Sequence, residues 1–108
     1  MTQKYQGDIS LLSGSEIEKA AQNKKFAPLK GQIVIAEGEA TGHKHLLVAD
    51  PQAKIEIAQD ENGYFIRVLK GSAVLTHDIH DTLTLPVGTH FLGRQWEYDE
   101  IKERPVRD

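Results

Sequence analysis

Five histidines, His43, His45, His77, His80 and His90, are the residues of this chain best suited to chemistry, and all fall between positions 43 and 90. His43 and His45 are spaced i, i+2. On an extended segment both imidazoles leave the same face, roughly 7 Å apart along the chain. Such a pair can converge on one ion, because imidazole nitrogen is a common ligand for zinc, iron, copper and nickel. His77 and His80 flank a turn at Asp78-Ile79, and His90 follows Pro86-Val87-Gly88. All five are therefore candidate ligands for a divalent transition metal such as zinc. Asp78 and Asp81 could orient an imidazole from outside the ligand shell. Asp50 could add a carboxylate, although its place before Pro51 marks it as a turn former. Protonation is a further use. If all five rings took up a proton, the net charge would move from −3 to +2, as in a pH-sensitive interface.

Other chemistries find less support. Glu37-Gly38-Glu39-Ala40-Thr41-Gly42 places two acids and a threonine beside the histidine pair. It reads as a bent connection with paired acids exposed on a loop. The chain has no Gly-x-Gly-x-x-Gly fingerprint and no Walker lysine, so nucleotide binding is unsupported. No serine lies in a Gly-x-Ser-x-Gly elbow; Ser10, Ser13, Ser15 and Ser72 read as strand, turn and cap residues. Zero cysteines exclude disulfides, thiolate metal sites and cysteine nucleophiles. Lys24, Lys25 and Lys30 form a small basic loop near Phe26, read as solvated.

The elements that must hold the histidines are short. With 108 residues the chain suits one domain, 1–108, in which 100–108 is an edge strand or a loose arm. Asp8–Leu12 is a first strand. Ser15 and Glu18 have capping-box spacing ahead of a helix from Glu16 to about Gln22, whose Ile17, Ala20 and Ala21 form an apolar face. Ile33–Ala36 is a continuous apolar run, as in a strand covered on both faces. His43–Ala49, Lys54–Ala58, Tyr64–Leu69, Ser72–His77, Thr82–Leu85 and His90–Tyr98 follow, with Asn62-Gly63 as the hairpin signal. In the last of these Arg94, Trp96 and Tyr98 share one face, with Trp96 as an anchor. About eight short strands joined by turns predict an all-β sandwich or jelly-roll-like barrel with one short N-terminal helix.

Composition narrows the partners. The 13 Lys+Arg against 16 Asp+Glu argue against a nucleic-acid coat. No apolar run is long enough to cross a membrane, and the first residues lack a signal-peptide core, so the expected compartment is cytoplasmic. Exposed strand edges in so small a domain predict a homo-oligomer. The leading expectation is a self-associating β-sandwich with a structural or binding role; the alternative is a small histidine metalloprotein, catalytic if the ion keeps an open position.

Two resemblances attach to these residues. His43-Lys44-His45 followed by Pro86-Val87-Gly88-Thr89-His90 resembles the cupin arrangement, which implies a small β-barrel with His43, His45 and His90 as ligands. No glutamate follows His45 at three or four residues, and His90 comes one position early after Gly88. Over most of its length the chain resembles a group of small uncharacterised bacterial proteins. The shared segments are Gly7-Asp8-Ile9, Ala36 to His45, Leu75 to His80, Leu85-Pro86-Val87-Gly88 and Gln95-Trp96-Glu97-Tyr98. That resemblance implies no activity, but it groups His43, His45, His77 and His80.

Overall fold

The computed structural model describes residues 2–37 and 43–94. It is an all-β sandwich of two antiparallel sheets with one short helix. The elements run β1 (Thr2–Gln6), β2 (Ile9–Ser13), α1 (Ser15–Ala21), β3 (Ala27–Pro28), β4 (Gln32–Glu37), β5 (Lys44–Ala49), β6 (Lys54–Asp60), β7 (Gly63–Lys70), β8 (Ala73–Thr76), β9 (Leu83–Leu85) and β10 (Gly88–Arg94). One sheet has the order β1-β2-β10-β7-β6-β3, and the other β4-β5-β8-β9.

The central strands of the six-stranded sheet, β2, β10 and β7, are covered on both faces, which explains their unbroken apolar runs. Leu11, Ile66, Val68 and Leu92 face the second sheet and pack with Leu47, Leu75 and Leu85. Their chain neighbours Leu12, Phe65 and Phe91 turn to the opposite face, where Ile17 and Ala21 of α1 cover them. Adjacent residues of an extended chain point to opposite faces, so Leu11-Leu12, Phe65-Ile66 and Phe91-Leu92 each serve two cores. The rings of Phe65 and Phe91 meet at a centroid distance of 4.9 Å.

Several local expectations are corrected. The run Ile33–Ala36 belongs to β4, an edge strand, and Val34 is exposed, so this strand is not covered on both faces. Ile33 and Ile35 pack against the core on one face, while Val34 between them serves strand propensity on the other. α1 begins at Ser15 after Gly14 and has no side-chain cap, so the Ser15/Glu18 capping box does not form. Gly14 instead sits at φ 128°, and its carbonyl accepts from the amides of Ile17 and Glu18. β1 is a strand that no apolar alternation announces, because Thr2–Tyr5 are exposed.

The hairpin between β6 and β7 pairs Asp60 with Gly63, so Glu61 and Asn62 form its tip. Among the described residues none other than glycine has positive φ, hence Asn62 does not adopt the left-handed geometry that Asn-Gly suggests. The hairpin needs Gly63 for closeness instead: a Cβ there would lie 2.2 Å from the Leu92 carbonyl oxygen. The stretch Gln95–Tyr98, including Trp96, and the 100–108 arm lie outside the described residues.

Candidate functional site

Four of the five histidines gather at one end of the sandwich. His45, in β5, points inward and is 3% exposed. His43 immediately precedes the strand. His77 and His80 come from the loop between β8 and β9. β8 lies beside β5 through the pairs Leu46–Thr76 and Leu47–Leu75, which brings that loop to the start of β5. The ring of His77 lies 5.6 Å from His43, 4.4 Å from His45 and 4.6 Å from His80, centroid to centroid. His43 and His45 thus approach the same ring, as i, i+2 spacing on an extended segment requires.

The opposite sheet contributes the turn between β1 and β2. Gln6 is 1% exposed, and its amide nitrogen donates to the carbonyls of Leu75 and Asp81 at 2.8 and 2.7 Å. Its amide oxygen accepts from His45 Nδ1 at 2.9 Å. With the amide nitrogen committed to two carbonyls, the oxygen can only accept, so Nδ1 of His45 carries a proton. In the neutral ring the lone pair is then on Nε2, which lies 3.3 Å from Asp8 Oδ1. The other oxygen of Asp8 pairs with the Arg94 guanidinium. Gly7 sits between Gln6 and Asp8 at φ 59°. A Cβ at Gly7 would lie 2.8 Å from His80 Nε2 and 3.4 Å from His45 Cε1, so its bareness admits both rings.

His43 repeats the pattern. Its Nδ1 is 2.6 Å from Asp78 Oδ2. A carboxylate accepts, so Nδ1 donates and Nε2 becomes the basic nitrogen of the neutral ring. This hydrogen bond holds the Asp78 carboxyl below its usual range. His77 is set the other way, with Nδ1 accepting from the Ile79 amide at 3.2 Å. Burial pushes His45 below the ordinary imidazole value; the charge of nearby His77 adds to this, and Asp8 opposes it.

His90 does not join the four. It pairs across the strands with Ser13, whereas Arg94 pairs with Ile9 next to Asp8. Four strand residues separate these positions, roughly 13 Å. Both nitrogens of His90 are engaged, Nδ1 with Ser13 Oγ at 2.6 Å and Nε2 with the Pro86 carbonyl at 2.7 Å. The ligand set His43, His45 and His90 that the cupin likeness implies is therefore not brought together. Among the described residues, no group of three or more histidine or acidic side chains stands ready to enclose an ion.

The remaining candidates fall into place individually. Asp50 accepts from the Gln52 amide and is a turn former. Asp81 contributes its carbonyl to Gln6. Lys24 pairs with Asp60 at 2.6 Å, and Arg67 lies over the Phe26 ring at 3.9 Å. Glu39 and Thr41 lie outside the described residues, and Glu37 is described only as the last residue of β4. Gln6, Gly7 and Asp8 join the histidines although no histidine lies near them in the chain. The signal available for them was Gly7-Asp8, a turn pair that ends β1 directly after Gln6.

A model for the family described as Domain of unknown function (DUF8820) matches residues 5–95. The chain belongs to that family. The match includes the β1–β2 turn and all five histidines. Neither the curated proteins nor the solved structures yield a match to this DUF8820 chain. Among its described residues no helix is long and apolar enough to cross a membrane.

Proposed function

We propose that this DUF8820 protein binds a divalent transition-metal ion, such as zinc, through His43, His45 and His80, with Asp8 as a carboxylate ligand. The observation that carries this reading is the way Gln6 and Asp78 hold the Nδ1 protons of His45 and His43. Outer hydrogen bonds of that kind fix the tautomer and the orientation of a metal-binding imidazole. The 3.3 Å between His45 Nε2 and Asp8 Oδ1 also suits two ligands on one tetrahedral ion. With bonds near 2.1 Å, such an edge measures about 3.4 Å. Binding would turn the half-buried and exposed loop rings, with His77 packing against the ligands.

The test is metal analysis of untagged protein after equilibration with zinc and removal of excess ion. The expected result is about one equivalent for the native chain and its loss in the His43→Ala/His45→Ala variant. Unchanged metal content in the double variant overturns the reading.

Self-association is a second reading, favoured by β1. Among the described residues no strand pairs with its outer side, and Thr2–Tyr5 are exposed. Such an edge offers backbone donors and acceptors to a second copy. Light scattering would show a multiple of the 12.1 kDa mass that falls to one chain in Lys4→Pro. A native chain that scatters as a monomer at high concentration overturns it.

A further inference from the structure

A cavity of about 300 Å³ opens at the far end of β2 from the histidine cluster. Ser13, His90, Lys4, Glu18, Thr84 and Val87 are among its lining residues. The Pro86 carbonyl can only accept, so the Nε2 of His90 facing it at 2.7 Å carries a proton. Burial pushes this imidazole below its ordinary value and favours the neutral ring, although the Pro86 hydrogen bond opposes the shift. The lone pair is then on Nδ1, and the Ser13 hydroxyl donates to it at 2.6 Å. A hydroxyl aimed at a neutral imidazole, whose far N–H is itself held, is the arrangement that activates a serine.

A direct cross-strand pair would make the same hydrogen bond merely to satisfy two polar groups. The cavity distinguishes this one, because both partners line a space large enough for a small molecule. Lys4 and Glu18 bring charges of both signs to the wall, beside apolar Val87 and Leu11.

We propose that Ser13 is a nucleophile that accepts a short acyl group from an ester, with His90 as its general base. Ser13 Oγ bonds to the ester carbonyl carbon while its proton passes to His90 Nδ1. The bond from that carbon to the alcohol oxygen breaks, and the alcohol leaves with the proton from Nδ1. Water then attacks the acyl-serine by the same route and releases the carboxylic acid, restoring Ser13 and neutral His90. No oxidant, reductant or metal is needed, so this site stands independently of the histidine cluster.

The full-length chain is incubated with p-nitrophenyl acetate at pH 7.5 and mapped by peptide mass spectrometry. An acetyl group on the Ser13 peptide is expected, together with a nitrophenolate burst that disappears in Ser13→Ala. The chain has no cysteine, so Ser13→Cys gives a single thiol whose alkylation by iodoacetamide can be followed against pH. Paired with His90, that thiol should react at pH 7 about tenfold faster than an ordinary thiol of pKa near 8.5. Adding His90→Gln should remove the advantage. Acetylation confined to lysines, or a Ser13→Cys thiol with an ordinary pH profile, overturns the proposal.

Discussion

The side-chain amide of Gln6, at the end of the first strand, accepts a hydrogen bond from His45 Nδ1 at 2.9 Å across the two sheets of the sandwich. The same amide donates to two carbonyls of the second sheet and its loop. One buried side chain therefore ties the sheets together and sets the orientation of the most buried imidazole in the cluster. Replacing it with Leu would leave two carbonyls and one ring N–H without a partner. Each such loss costs about 1–3 kcal/mol. Gln6→Leu is expected to lower stability by about 3 kcal/mol or more, read as a lower urea midpoint. A variant as stable as the native chain would show that water replaces the amide.

Gly63 makes a sharper demand on the fold. Its missing Cβ would lie 2.2 Å from the Leu92 carbonyl oxygen, where backbone must move to make room. Gly63→Ala is expected to destabilise by about 3 kcal/mol or more, since the clash falls on the ladder between β7 and β10. Gly31→Ala is the control: its Cβ would meet nothing within 4 Å, so only the strain of φ 82° is added. Thermal unfolding of the two variants should separate them clearly.

The burial of His90 predicts the direction of the pH dependence. Its folded value lies below 6.5, the value of an unperturbed imidazole. As pH falls through about 6.5, the unfolded chain takes up this proton before the folded one does. Stability from this group is therefore full above that value. It is lost as pH falls toward the lower folded value, and flat below it. Urea midpoints measured from pH 8 to pH 5 should fall, and His90→Gln should reduce the slope to the part that His45, also lowered by burial, contributes. An unchanged slope in the variant would assign the pH dependence to other groups.

Ion binding should couple to stability. At a free zinc concentration 100-fold above Kd, the folded state gains about 2.7 kcal/mol. For a domain of this size that corresponds to a rise of roughly 10 °C in Tm. Gly7→Ala should reduce the gain, because its methyl would lie 2.8 Å from His80 Nε2 and push that ring aside. Calorimetry with and without zinc, for both proteins, measures the difference. An equal rise in both would remove His80 from the proposed ligand set.

The sequence by itself determined the class of the fold. Short alternating or continuous apolar runs between Gly and Pro turns require strands, and one i, i+3, i+4 set gives a helix face. It also placed His43 and His45 together, because the side-chain period of an extended segment is a local property. Only the tertiary structure decided the rest of the site. Gln6, Asp8, His77 and His80 reach His45 through pairings and loops set by how the two sheets pack, and no local pattern encodes that packing. The same packing sent His90 to another end of β2, where its partner is a serine that its surroundings in sequence do not single out. Val34 shows the same division: an apolar residue in a strand follows from propensity, but its exposure follows from the edge that β4 occupies.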